Sequence, residues 1–167
     1  SRILDCVLLI NLNPNIYQDD LLIFLRKVAA KMCSWINEVT FENGDIPMVN
    51  DSTFMIAPSS KNLFNFSKKL GVHSDLQPLS DSGYRKINAE KYEFFIDIGN
   101  IGPDYQPGHA HSDTFNFELR LDTLPFIVDT GISTYELNKI RQDERGTASH
   151  NTVIINNIEQ SDVWGGF

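Results

Sequence analysis

The apolar residues of this chain change period part-way along it, and that change limits the fold more than any other feature. From Asp19, the residues Leu21, Leu25, Val28, Met32, Trp35 or Ile36, and Val39 fall at steps of four and three, the spacing of one helical face. Asp19 and Asp20 suit the positive end of such a helix. Arg2 to Ile10 reads as the end of an earlier helix, with Pro14-Asn15 in the short connection of an antiparallel pair. A shorter helix is predicted to close near Leu70-Gly71, where glycine supplies a left-handed cap.

Beyond the turn cluster Ser80-Asp81-Ser82-Gly83 the period falls to two, with Phe94, Ile96 and Ile98 alternating with Phe95 and Asp97. Over Asp113 to Leu121 the alternation predicts Phe115, Phe117, Leu119 and Leu121 on a core face, and Thr114, Asn116, Glu118 and Arg120 on a wet face. Leu124-Pro125-Phe126-Ile127-Val128 is apolar on both sides and reads as a more central strand that starts at the proline. Asn151 to Ile155 reads as a further strand. Helices first and strands after make the chain α+β, with residues 1–72 as a helical part and 73–167 as an antiparallel sheet. The helices look like the edge of a larger helical domain, and no closing strand follows the sheet before Trp164-Gly165-Gly166-Phe167. The expectation is a fragment cut across two domains.

With a formal net charge of −8 and scattered Lys and Arg, the chain lacks the basic face that nucleic-acid phosphates require. No apolar run approaches the roughly 18 residues of a membrane span. Cys6 and Cys33 lack the CxxC spacing of a redox or zinc pair and read as packing residues.

The chemistry-bearing residues gather in the β-half, at Gly108-His109-Ala110-His111-Ser112-Asp113 and Ala148-Ser149-His150-Asn151-Thr152. In extended backbone His109 and His111 share a face. Two imidazoles entering an apolar layer need partners for their ring nitrogens, which a metal or a buried carboxylate supplies. Asp129 ends the apolar run Phe126-Ile127-Val128, where an uncompensated carboxylate is costly. Gathering His111, Asp129 and His150 around one divalent ion answers both problems, and two nitrogens with one oxygen suit zinc. The competing reading is a set of hydrogen-bonded core histidines. A third is His111 and Asp113 with His150 as the facial triad of a non-haem iron site. Glu118 lies too far from His111 for a cupin arrangement, and His73 in its polar turn reads as surface. Lys139, Arg141 and Arg145 form a basic cluster, either solvated or near an acidic ligand. Tyr105 and Trp164 are candidates for stacking on sugar rings.

The run Ile101-Gly102-Pro103-Asp104-Tyr105-Gln106-Pro107-Gly108-His109-Ala110-His111-Ser112-Asp113 resembles the heparinase II/III-like polysaccharide lyases, which include alginate lyases. The likeness continues through Val128-Asp129-Thr130-Gly131, Ser133-Thr134-Tyr135, and Arg145-Gly146-Thr147-Ala148-Ser149-His150-Asn151-Thr152-Val153. Trp35 to Asn43-Gly44, Ile46-Pro47 and Asn50-Asp51-Ser52 are similar to the end of that family's helical domain. The resemblance implies the end of an (α/α) toroid followed by an antiparallel β-sandwich, with the active site in the cleft between them. It implies zinc held by His111, Asp129 and His150, with the residue matching His109 facing the substrate.

The implied reaction is β-elimination on a uronic-acid-containing acidic polysaccharide, with His109 catalytic and Tyr135 and Arg145 as candidate substrate contacts. The family's catalytic tyrosine is expected upstream of this sequence, since Tyr17 lies too near the start of the last toroid hairpin, so the 167 residues alone are expected to lack activity. A periplasmic or extracellular setting is implied as well. The alternative function is a zinc-stabilised protein of the same fold that binds or assembles a glycan without cleaving it.

Overall fold

The computed structural model describes residues 1–15, 19–74, 78–102 and 108–163. Tyr17, Tyr105 and Trp164, together with 103–107 of the resemblance, lie outside the described residues. The chain divides into two compact units, one of Ser1–Thr40 and Ala57–Pro78, the other of Phe41–Ile56 and Leu79–Phe167. The segment 41–56 thus clusters with the strands, although it precedes α3 in the sequence.

The first unit holds α1 (Arg2–Leu12), α2 (Asp19–Val39) and α3 (Ser60–Lys69). Its core is Leu4 and Val7 of α1, Ala29 and Cys33 of α2, and Leu70 and Val72, with Leu22, Leu25 and Phe64 packed around them. The inward stripe of α2 thus runs Leu22, Leu25, Ala29, Cys33, one residue round from the stripe expected through Leu21 and Met32, which are 48% and 49% exposed. Small residues at 29 and 33 are the ones that let a neighbouring helix approach. Cys6 is exposed and Cys33 buried, both as free thiols. Ser59 caps α3 by accepting the Asn62 N–H. Gly71 ends it at φ +65°, with the Val72 N–H bonded to the Ser67 carbonyl and the Gly71 N–H to that of Lys68. This is the left-handed close that the sequence predicts. No helix among the described residues is long and apolar enough to cross a membrane.

The second unit is an antiparallel four-stranded meander of β1 (Tyr84–Asn88), β2 (Tyr92–Asp97), β3 (Phe117–Leu121) and β4 (Leu124–Ile127), in that spatial order. Asp122 and Thr123, at φ 47° and 69°, make the two-residue turn between β3 and β4. β4 is an edge strand of the described sheet and its first three residues are exposed, so the central position expected for it is corrected.

The predicted facing of β3 is inverted. Asn116, Glu118 and Arg120 are buried, whereas Phe117 and Leu119 are half-buried and Phe115 is 59% exposed. The reason lies in what covers that side of the sheet. The Glu42 N–H bonds both Glu93 carboxylate oxygens, the Met48 N–H bonds Glu118, and Arg120 pairs with Asp45 at 3.0 Å while lying 4.0 Å over the Phe41 ring. Backbone N–H groups and Asp45 of the segment 41–50 partner the carboxylates and the guanidinium of that face, which lets charged side chains be buried there. β3 also starts at Phe117 instead of Asp113, because Phe115 is left-handed at φ 66° and the Asn116 N–H turns back to the Asp113 carbonyl.

Residues 151–155 form no strand. The Asn151 side-chain amide bonds the carbonyls of Phe117 and Val128, and the chain then folds back on itself at a single Ile155–Ile158 bridge.

Candidate functional site

The second unit gathers its histidines from loops, and one short helix, α4 (Lys139–Arg145), anchors the segment that carries His111. Arg145 is 1% exposed. Its Nε and a terminal nitrogen donate to the Ala110 carbonyl at 3.0 and 2.8 Å, and its own carbonyl accepts the Ser112 N–H at 2.9 Å. Both neighbours of His111 are thereby fixed to the end of α4. Arg145, expected as a substrate contact, has its guanidinium buried and bonded to the histidine segment. Burial and the charge of Arg141 push it below its ordinary value. Of the basic cluster only Lys139 is solvated, paired with Asp143 one turn on.

His111 is fully buried, and its Nε2 donates to Asp51 Oδ1 at 3.0 Å. Burial, set against that hydrogen bond, takes the ring down to about 4, so it is neutral at pH 7. His150 donates from Nδ1 to Asp129 Oδ2 at 2.7 Å. Burial pulls the His150 ring down, but the hydrogen bond and charge of Asp129 and the charge of Asp113 outweigh it and leave the ring above its ordinary value. Asp113 is 2% exposed, and burial, eased by His150 and reinforced by Asp97 and Asp129, pushes its carboxyl up to about 7.

Each of these three residues keeps one buried polar atom with no hydrogen-bond partner among the described residues: His111 Nδ1, Asp113 Oδ2 and His150 Nε2. One donor atom from each lies within 4.8 Å of the other two. Orphaned buried polar atoms are rare and costly, and three neighbouring residues that each keep one form a donor set that fits a divalent cation. The group can hold a metal ion.

Asp129, expected as the carboxylate ligand, sits differently. Its Oδ2 accepts from Asn116 Nδ2 at 2.8 Å as well as from His150, and its Oδ1 accepts the Gly131 N–H at 2.9 Å. Both oxygens are engaged, and the carboxylate orients His150 from behind, as outer-shell carboxylates do at metal sites. Gly131 at φ +62° is what allows this turn, and a Cβ there would stand 3.3 Å from the Ser52 carbonyl oxygen. Asn116 completes the frame by accepting the Asn151 N–H.

His109 differs from its neighbour in exposure. Its side chain is 63% exposed while its Nδ1 donates to Asp51 Oδ2 at 2.6 Å. The two histidines thus share a partner, although the loop does not give them one environment. Arg141, fully buried, contacts Asp51 Oδ1 at 2.6 Å and lies 5.1 Å over the Tyr135 ring, which is 40% exposed. Burial pushes Asp51 up, but the bonds from Arg141, His109 and His111 outweigh it and hold the carboxyl below its ordinary value. Burial and the Asp51 charge, against Arg141, raise the Tyr135 hydroxyl. Asp51 is the site residue that sequence reasoning missed; Arg141, named there only as part of a basic cluster, is the buried cation paired with it. Asp51 stands in a run quoted for the family likeness, yet nothing in Asn50-Asp51-Ser52 signals burial.

Residues 72–167, more than half of the chain, match the family described as heparinase II/III-like, C-terminal. The chain belongs to the heparinase II/III-like family. The fold agrees: the crystal structure of heparinase III superimposes with a TM-score of 0.55 at 18% identity, over 85% of this chain and 27% of that one. The heparinase II/III-like chain thus spans about a quarter of heparinase III, and its helices and four-stranded antiparallel sheet correspond to that part of the larger fold. No curated protein sequence matches it.

Proposed function

We propose that this protein is a polysaccharide lyase that cleaves a uronic-acid-containing acidic glycan by β-elimination. The finer architecture read for it is the end of an (α/α) toroid followed by the start of a β-sandwich. In the reaction a base removes the C5 proton, a double bond forms between C4 and C5, the C4–O bond breaks, and the leaving oxygen takes a proton. The C5 proton is weakly acidic until the adjacent carboxylate is neutralised, so the site needs donors aimed at that group as well as a proton acceptor.

The observation that carries the reading is the position of His109: exposed, beside a buried donor set, and backed by a carboxylate. With its Nδ1–H given to Asp51, a neutral His109 carries its basic lone pair on Nε2, the arrangement of an oriented general base. Tyr135, half-exposed over Arg141, is assigned to the substrate's side of the same group. The metal is assigned as zinc, held by His111, His150 and Asp113, with Asp129 orienting His150. Two nitrogens and one oxygen suit that ion. When bound, the ion supplies a fixed positive charge that locks the loops carrying His109 and His150. The same reading places the protein in the periplasm or outside the cell, where such polymers are met.

Incubating the intact, zinc-loaded protein with a panel of uronate polymers tests this. The expected result is ultraviolet absorbance from unsaturated uronate, abolished by His109→Ala. Saturable binding of a polymer with no unsaturated product would establish the glycan-binding alternative in its place.

A further inference from the structure

We propose that Asp51 is a positioning residue that sets His109 and His111 in opposite tautomers, giving His109 its lone pair on Nε2 and His111 its lone pair on Nδ1. The inference rests on the functional reading of those two histidines given above. A carboxylate only accepts, so each ring nitrogen facing Asp51 carries a hydrogen. On His109 that nitrogen is Nδ1, and on His111 it is Nε2. A neutral imidazole has one N–H, so the other nitrogen of each ring is the basic one. In His111 the basic nitrogen is Nδ1, the buried atom without a hydrogen-bond partner in the candidate metal group. One side chain, 58 and 60 residues away in sequence, thereby prepares a metal ligand with one oxygen and a proton acceptor with the other.

The two oxygens are not equivalent, and this makes the idea specific. Oδ1 receives both His111 Nε2 and Arg141, whereas Oδ2 receives His109 Nδ1. In Asp51→Asn the single amide oxygen belongs where two donors meet, at the Oδ1 position. The amide NH2 then faces His109, whose Nδ1 has to become an acceptor. His109 is expected to move its proton to Nε2, while His111 keeps its tautomer. Asp51→Ala removes the support from both rings.

Long-range ¹H–¹⁵N correlation of the histidine ring nitrogens reads the tautomers directly in the intact protein, and competition with a chelator reads zinc affinity. The wild type is expected to show His109 protonated at Nδ1 and His111 at Nε2. Asp51→Asn is expected to switch His109 alone and to change zinc affinity less than about tenfold, whereas Asp51→Ala weakens zinc by about 10- to 100-fold, the usual effect of losing an outer-shell partner. A merely structural Asp51 would leave the His109 tautomer unmoved in the asparagine variant. The proposal is overturned if wild-type His111 carries its proton on Nδ1, if wild-type His109 carries it on Nε2, or if Asp51→Asn switches neither ring. Should the variants not fold, the wild-type tautomers decide. A protein with the expected tautomers that releases no unsaturated uronate refutes the lyase reading and leaves this role of Asp51 standing.

Discussion

Glu118 offers a stability test whose sign and size follow from its surroundings. Its side chain is 3% exposed beneath the segment 41–50, where it accepts the Met48 N–H and lies 4.0 Å from Arg120. Burial pushes the carboxyl from 4.5 up to about 7, despite the opposing pull of the Met48 N–H and of Arg120. The folded chain therefore binds this proton more tightly than the unfolded chain does. Between pH 4.5 and about 7 the native state carries more protons, so unfolding free energy falls as pH rises through that window. Each tenfold change in proton affinity is worth about 1.4 kcal/mol, so the loss totals about 3 kcal/mol.

In Glu118→Gln the side-chain carbonyl still accepts the Met48 N–H, but nothing titrates. Whatever the substitution does at acid pH, the stability of the variant relative to wild type should improve by about 3 kcal/mol between pH 4.5 and pH 8. Urea unfolding of both proteins across that range measures it, and ¹³C titration of the Glu118 carboxyl checks the cause. A relative stability that stays constant with pH, or moves the other way, refutes the reasoning.

Two further substitutions probe the frame around the histidines. Asn116→Ala strips a buried donor from Asp129 and a buried acceptor from the Asn151 N–H, so it should cost about 2–3 kcal/mol in urea unfolding and weaken zinc binding. Arg145→Lys replaces a fork by a point donor at the Ala110 carbonyl. It should lower stability by about 1–3 kcal/mol. An unchanged melting curve would contradict the anchoring role of Arg145 at the Ala110 carbonyl.

The parts of this molecule that were legible in the sequence are those set by local rules. The four-and-three spacing located α2, Gly71 closed α3, and the alternation after residue 92 marked β2. What local rules could not show was which neighbour covers which face. The stripe on α2 turned by one residue because Ala29 and Cys33, too small to stand out in a pattern, make the close contact. The facing of β3 inverted because backbone N–H groups and charges of 41–50 satisfy Glu93, Glu118 and Arg120, and alternation of residue types carries no trace of that. At the site, the histidines announced themselves by type. Asp51 did not, since its value lies in contacts with residues 58 and 60 positions away. Asp129 was singled out for its burial, and it is buried; the structure assigns its oxygens to Asn116, His150 and Gly131 and leaves Asp113 beside the orphaned nitrogens.

The central claim is that His111, Asp113 and His150 converge on one divalent cation. An anomalous-difference map collected at the zinc edge from crystals of the zinc-loaded protein tests it most directly. A single peak about 2.0–2.2 Å from His111 Nδ1, Asp113 Oδ2 and His150 Nε2 is the result predicted. A peak bound instead through Asp129 with Asp113 turned away, or no peak among the three residues, contradicts it.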